Sequence, residues 1–199
     1  DGEVTNWDIY MSTPDDASAG GTLTAPAGTH DDPPEIASEG AAGTSQSIHY
    51  AGTGWYTYGA GINFNLEGCK DLTEYTGVRF YAKGSTTPGT DQEFPPNLTE
   101  NYLNFRVITA GSHGIIMEGG VNVGGDCDTS VANHGCYMPP QKNITLTPDW
   151  ELYEIPFADL VTPTSAAPGS DFTGTNAMLL GWHSENGDFD FYLDEVEFY

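Results

Sequence analysis

Positive charge is scarce in this chain. Its 199 residues include 5 Lys and Arg against 29 Asp and Glu, a formal net charge of −24 at pH 7. Such a surface repels a phosphate backbone and an anionic bilayer, so nucleic acid and membrane surfaces are excluded as partners. Long apolar runs are missing as well. No stretch approaches the ~20 apolar residues of a spanning helix, which excludes helical membrane insertion. Cysteine is limited to 3 residues, and no Cys-x-x-Cys accompanies them, which argues against zinc. Neither a Gly-x-Ser-x-Gly elbow nor a His-Glu-x-x-His helix occurs. His30, His49, His113, His134 and His183 stand apart, without metal-ligand spacing. Nothing singles out two of the acids as the ~5–9.5 Å carboxyl pair of a glycoside hydrolase. The reading is therefore a non-enzyme. A small polysaccharide lyase using Tyr and His (His113 among them), or a hydrolase, is the third alternative.

What is present is aromatic and turn-rich. Aromatic residues make up 12%, with 11 Tyr and 4 Trp, a content that disordered chains lack. The 25 Gly and 13 Pro are scattered without a period, which favours many short strands over long helices. Period-two alternation recurs. "GAGINFNLEG" sets Ile62, Phe64 and Leu66 against Asn63 and Asn65. "TGVRFYAKG" sets Val78, Phe80 and Ala82 against Arg79, Tyr81 and Lys83. "YLNFRVITA" sets Leu103, Phe105 and Val107 against Asn104, Arg106 and Ile108. "SIHYAG", "HGIIMEG", "NITLT", "WELYEIPF", "AMLLGWHS" and the terminal "GDFDFYLDEVEFY" complete the set. One buried and one wet face per strand predicts an all-β sandwich or jelly roll of antiparallel strands. "DLTEYTG" and "PFADL" are each read as a single helical turn. The chain reads as one domain, 1–199, with a loop-rich region at 13–46 that carries a short strand near Gly21–Thr24.

Cys127 and Cys136 lie in the Gly-rich "GGDCDTSVANHGCYMPP", where they could close a small disulfide ring; Cys69 is left over and reads as a buried thiol. A small disulfide suits an oxidising compartment. The start at Asp1, with no leader, fits a secreted protein after processing and fits a fragment equally. Asn97-Leu98-Thr99 and Asn143-Ile144-Thr145 are glycosylation triplets.

The last strand breaks its own rule. Phe189, Phe191 and Leu193 share one phase, while Val196 and Phe198 take the other. A one-residue slip is what a β-bulge supplies, here at Asp194-Glu195. A bulge there frees a main-chain carbonyl beside a carboxylate, and paired oxygens of that kind suit Ca²⁺. Asp194 is the expected ligand, with Asp1 and Glu3 from the N-terminus as its partners and Asp15 and Asp16 in reserve.

"NWDIYMSTPDDASAGGTLTAP", "GWYTYGAGINFNL", "CKDLTEYTGVRFYAKG", the paired cysteines, "LTPDWELYEIPFADL" and "GDFDFYLDEVEFY" follow one another in an order that resembles bacterial secreted carbohydrate-binding modules of the galactose-binding-like jelly-roll fold. That resemblance implies an extracellular, non-catalytic module for a polysaccharide or cell-surface glycan. It also implies a structural Ca²⁺ joining the N-terminal region to Asp194. Sugars offer flat C–H faces to aromatic rings and hydroxyls to polar side chains. Trp55, Tyr56 and Tyr58 in "GTGWYTYGAG" are the leading platform candidates. Tyr81, Asn104, Arg106, Trp182 and His183 join them, although Trp182 also continues the core phase of Met178 and Leu180. Trp150 and Trp7 read as core. The rival is a self-assembling subunit of an extracellular fibre or coat, a homopolymer built through an edge strand or the N-terminal segment.

Overall fold

The structure, a computed structural model, describes residues 21–25, 34–55, 59–87, 102–118, 120–122, 124–132, 135–184 and 187–199, with the side chains of 67–69 and 118 outside the description. Among the described residues twelve strands follow in chain order: β1 (Thr22–Ala25), β2 (Glu35–Ala37), β3 (Ser47–Trp55), β4 (Ala60–Lys70), β5 (Gly77–Thr87), β6 (Leu103–Thr109), β7 (Met117–Glu118), β8 (Val121–Asn122), β9 (Gln141–Ile144), β10 (Glu151–Pro156), β11 (Ala177–Ser184) and β12 (Gly187–Phe198). The helical content of the described residues is two 3-10 turns, Ala110–Ser112 and Phe157–Asp159. The turn at Phe157–Asp159 is the one expected in "PFADL". The stretch 71–77 forms an ordinary turn instead, held by the Asp71 carboxylate accepting from the Thr73 N–H and hydroxyl.

The strands form two antiparallel layers. One has the order β1-β3-β12-β5-β10, with β2 also paired to β3; the other is β4-β11-β6-β9. A separate hairpin, β7-β8, projects from the connection between β6 and β9. The alternation explains the layers. Ile62, Phe64, Leu103, Phe105, Leu180 and Trp182 turn inward from one sheet, and Val78, Phe80, Phe191 and Leu193 from the other; all are at most 1% exposed. Trp182 sits where they meet, with its ring centroid 4.6 Å from Phe64, 5.1 Å from Phe80 and 5.3 Å from Phe105. Burial of each large side chain contributes about 1.5–3 kcal/mol, so these rings carry much of the sandwich's stability.

The slip in the last strand is a bulge. Asp194 pairs with Tyr81 and Glu197 with Arg79, three steps on β12 against two on β5. Glu195 takes the extra step with φ at 49°. The bulge returns Val196 and Phe198 to the core side, where they pack partly buried. Glu197 stays outside, its Oε1 accepting from Arg79 Nε at 2.6 Å.

Three expectations change. "HGIIMEG" contributes only the two-residue β7 of the hairpin, not a sandwich strand. "NITLT" is strand only to Ile144, as the end of β9. β2 arises inside the region read as loop, because Ile36 and its neighbours pair with Ile48 and His49 along the β3 edge. The expected strand near Gly21–Thr24 is β1, Thr22–Ala25.

Candidate functional site

The outer face of the β4-β11-β6-β9 sheet is polar by the same alternation that makes its inner face apolar. Register places the outward residues in rows. Gly61, His183, Asn104 and Asn143 form one row, and Asn63, Gly181, Arg106 and Gln141 the next. Asn65, Leu179 and Ile108 follow. Asn104 is 1% exposed, yet its polar atoms are engaged: Nδ2 donates to Asn143 Oδ1 at 2.6 Å, and Oδ1 accepts from Arg106 Nε. Holding Asn104 between them fixes Arg106 over the middle of the sheet.

Glycine shapes the centre. A Cβ on Gly181 would run into the Asn63 carboxamide and meet Ile108 Cδ1 at 3.0 Å, so those side chains close over the glycine and bury it. A Cβ on Gly61 would sit 2.9 Å from His183 Nδ1. The result is a polar strip along the outer face, the trough, made of amides, one guanidinium and one imidazole, with Gly61, Gly181, Asn104 and His183 buried in it. Among the described side chains of these four strands there is no carboxylate; Glu67 in β4 is the one acid in their sequence, and its side chain lies outside the description. Carboxamides both donate and accept, and Arg supplies five donors in a fixed fork, so the wall suits a neutral ligand rich in hydroxyls.

The opposite outer face is built differently. His49 stacks on Tyr192 with ring centroids 4.2 Å apart, and Lys83 Nζ lies 4.7 Å from the Tyr192 ring and 5.1 Å from the Trp150 ring. Lys83 pairs with Glu39 at 2.7 Å, and His49 lies 3.3 Å from Glu35 and 2.9 Å from Asp190. Burial, then the nearby Asp190 charge, raises the Tyr192 phenol above its usual pKa. This face is occupied by its own pairs, and the segment around Glu39–Thr44 lies against it.

The sequence candidates divide accordingly. Asn104, Arg106 and His183 come together on the trough. Tyr81 does not: it lies on the other sheet, opposite Asp194 and Leu152. Two platform candidates are corrected. Trp182 is fully buried, for the phase reason given above. Trp55 is 4% exposed; a Cβ on Gly52 would approach its Nε1 to 2.6 Å, and one on Gly21 would overlap its ring. The flanking glycines make room for the indole inside rather than displaying it. Trp150 is corrected in the other direction, since it shares the outward phase of Leu152 and stacks on Lys83 instead of entering the core. Tyr56 and Tyr58 lie outside the described residues, as do Trp7, Asp1 and Glu3. The residues missed were Asn63, Gly181, Gln141, Asn143 and Tyr102. Tyr102 precedes β6 in the phase of Asn104 and Arg106, a signal readable in "YLNFRV".

Cys127 and Cys136 form a disulfide, with Cα atoms 5.7 Å apart. It closes the lobe between β6 and β9, which is pinned further by Cys127 N–H to His113 O and Tyr137 N–H to Ser112 O.

At the bulge, Asp194 Oδ2 accepts from the Ala41 N–H at 2.7 Å and from the Thr44 hydroxyl, and Oδ1 accepts from the Glu195 N–H at 2.9 Å. The carboxylate thus ties the turn before β3 to the last strand. A Cβ on Gly40 would lie 2.8 Å from the Gln46 carbonyl oxygen, 2.9 Å from Asp194 Oδ2 and nearer still to Thr44 Oγ1. Carboxylate, carbonyl and hydroxyl oxygens are the donors Ca²⁺ takes, so the cradle fits that ion in kind. Three donors fall short of the roughly six to eight in its shell. Among the described residues no group of three or more His, Cys, Asp or Glu is gathered to hold a metal.

Two antiparallel sheets in this order define a jelly-roll β-sandwich. A family 11 carbohydrate-binding module from Clostridium thermocellum, solved in complex with a beta-1,3-1,4-mixed-linked tetrasaccharide, is similar with a TM-score of 0.56 and 16% identity over 98% of this chain and 89% of that one. The family 11 module of a cellulosomal cellulase from the same organism gives 0.56 and 16% over 98% and 88%. The solution structure of CtCBM11 gives 0.52 and 16% over 98% and 89%. At this identity the likeness shows the fold. No family model and no curated protein matches the chain.

Proposed function

We propose that this chain is a secreted, non-catalytic module that binds a polysaccharide or cell-surface glycan across the outer face of the β4-β11-β6-β9 sheet. The observation that carries the reading is the amide-rich trough, with Arg106 bonded onto Asn104 and flanked by Asn63, Asn143 and His183 around Gly181. Four strands spaced about 4.8 Å apart span roughly 14 Å, room for a short run of sugar rings lying across the strands. Arg106 and the amides would bond the hydroxyls, and Tyr102, in the sequence phase of Asn104 and Arg106, would offer its ring to a C–H face. Outside the molecule, net negative charge keeps the module off other polyanions. The disulfide supports an oxidising location, and no helix of the described residues is long and apolar enough to cross a membrane.

Titration calorimetry with the mixed-linkage tetrasaccharide and a panel of other neutral oligosaccharides tests the reading. Arg106→Ala should weaken the best ligand at least tenfold with an unchanged melting curve. Equal affinity in the variant removes the trough from the site, and no binding across the panel removes the function.

Calcium belongs to the same proposal. Asp194, Thr44 and the Gln46 carbonyl would hold it, completed by Asp1 and Glu3. Its role would be to reinforce the tie between the turn before β3 and β12, because an ion bound only by the native state stabilises that state by mass action. Its loss should lower the melting temperature without altering the trough.

A further inference from the structure

A second concavity lies away from the trough, at the end of the sandwich where β4 and β10 finish and β11 begins. It has a volume of about 390 Å³ and is lined by Leu72, Tyr75, Thr76, Phe157, Phe172 and Thr173, among others. No lining residue is charged, in a chain with 29 acids. Phe157 and Phe172 pack at 4.5 Å between centroids with planes tilted by 41°; both line the cavity and both are only partly buried. Tyr75, 38% exposed, leans on Phe198 at 5.3 Å.

The rim is already set. Leu72 N–H donates to Gly174 O at 2.6 Å, joining its two loops, and Thr76 N–H donates to Tyr199 O at 2.6 Å. Thr173 N–H donates to Asn176 Oδ1 at 3.0 Å. The hydroxyls of Thr76 and Thr173 each already bond within the rim, to Tyr199 O at 3.1 Å and to Thr175 Oγ1 at 3.4 Å, and keep acceptor capacity toward a ligand. A cavity that needs no rearrangement to form costs little ordering on binding.

We infer that this cavity is a second binding site, for a single neutral sugar unit such as a chain end or side branch. Its size is near the lower end of small-molecule pockets, about 300–1,000 Å³, which suits one or two rings and not an extended chain. Aromatic faces beside threonine hydroxyls match the two surfaces of a pyranose, its C–H face and its hydroxyl rim. The lack of a lining cation, in a chain of net charge −24, disfavours uronates. The site is independent of the trough, since none of its residues lies on the β4-β11-β6-β9 outer face.

The test is an amide-shift titration of the whole labelled chain with methyl β-glucoside, methyl β-xyloside and methyl α-galactoside, and with the corresponding disaccharides. At least one should move the amides of 72–76 and 172–174, and the Arg106→Ala variant should give the same shifts. Phe172→Ala should weaken that response at least fivefold. Ala158→Trp, at an exposed position on the cavity wall, should abolish it while preserving the rest of the spectrum. Silence at 72–76 and 172–174 with every probe overturns the inference, as does a response that survives Ala158→Trp. Either result leaves glycan binding at the trough untouched.

Discussion

Asp194→Ala removes the carboxylate that joins the bulged last strand to the turn before β3. Three donors lose their acceptor: the Ala41 N–H, the Thr44 hydroxyl and the Glu195 N–H. The Thr44 hydroxyl also donates to Ala41 O, and the exposed Glu195 N–H can turn to water. The Ala41 N–H is the costly one, because Ala41 is only 2% exposed. Hydrogen bonds to a charged group contribute about 1.5–3 kcal/mol, and a buried donor left unmet costs about 1–3 kcal/mol. Counting one such bond fully and the others in part, the substitution should cost about 2–4 kcal/mol. A chain of this size shifts by roughly 2–4 °C per kcal/mol, so the melting temperature should fall by about 4–16 °C. Asp194→Asn keeps one acceptor oxygen and should lose about half as much. The assay is urea unfolding of the three proteins, each with calcium and with excess chelator. Wild type should gain stability from calcium and Asp194→Ala should not. A loss below about 0.5 kcal/mol in Asp194→Ala would refute the clasp. A calcium gain that persists in Asp194→Ala would place the ion elsewhere.

Other substitutions probe the remaining parts. The Tyr50 hydroxyl is buried with no hydrogen-bond partner among the described residues, so Tyr50→Phe should be neutral or stabilising at pH 7 by urea unfolding. Burial pushes the Tyr50 phenol well above its ordinary value, and burial followed by the Glu151 charge pushes Tyr153 up to about 12. The folded state therefore keeps protons that the unfolded chain releases near pH 10. Stability should be complete below that pH and fall above it, less steeply in Tyr50→Phe. Trp182→Ala empties the centre of the sandwich and should cost about 3–5 kcal/mol in the same assay. Gly181→Leu should leave a folded protein, because its side chain meets the movable Asn63 carboxamide and Ile108 tip, yet fill the trough and abolish glycan affinity by calorimetry.

Strand placement was legible because alternation is a local property. It identified β4, β5, β6, β10, β11 and β12, and the phase slip at Asp194-Glu195 located the bulge to the residue. Alternation does not say which sheet a strand joins. Tyr81 and Arg106 therefore looked alike, each polar between apolar neighbours, although β5 and β6 lie in different layers. Trp55 was misread for a related reason: glycine beside a ring signals close approach, and the sequence does not say whether solvent or another strand approaches. Gly21, far away in the chain, lies against the same indole. β2 was hidden because its three residues owe their pairing to the β3 edge and not to any pattern of their own. Likewise Asn63 and Gly181 come into one row with Arg106 only once the register is known.

The most direct test is to map where the mixed-linkage tetrasaccharide, or the best neutral ligand of the panel, touches the isotope-labelled protein by amide-shift titration. The largest shifts should fall at Asn63, Asn104, Arg106, Gly181 and His183, as binding at the trough requires. Shifts centred instead on Tyr81, Lys83 and Tyr192 would contradict it.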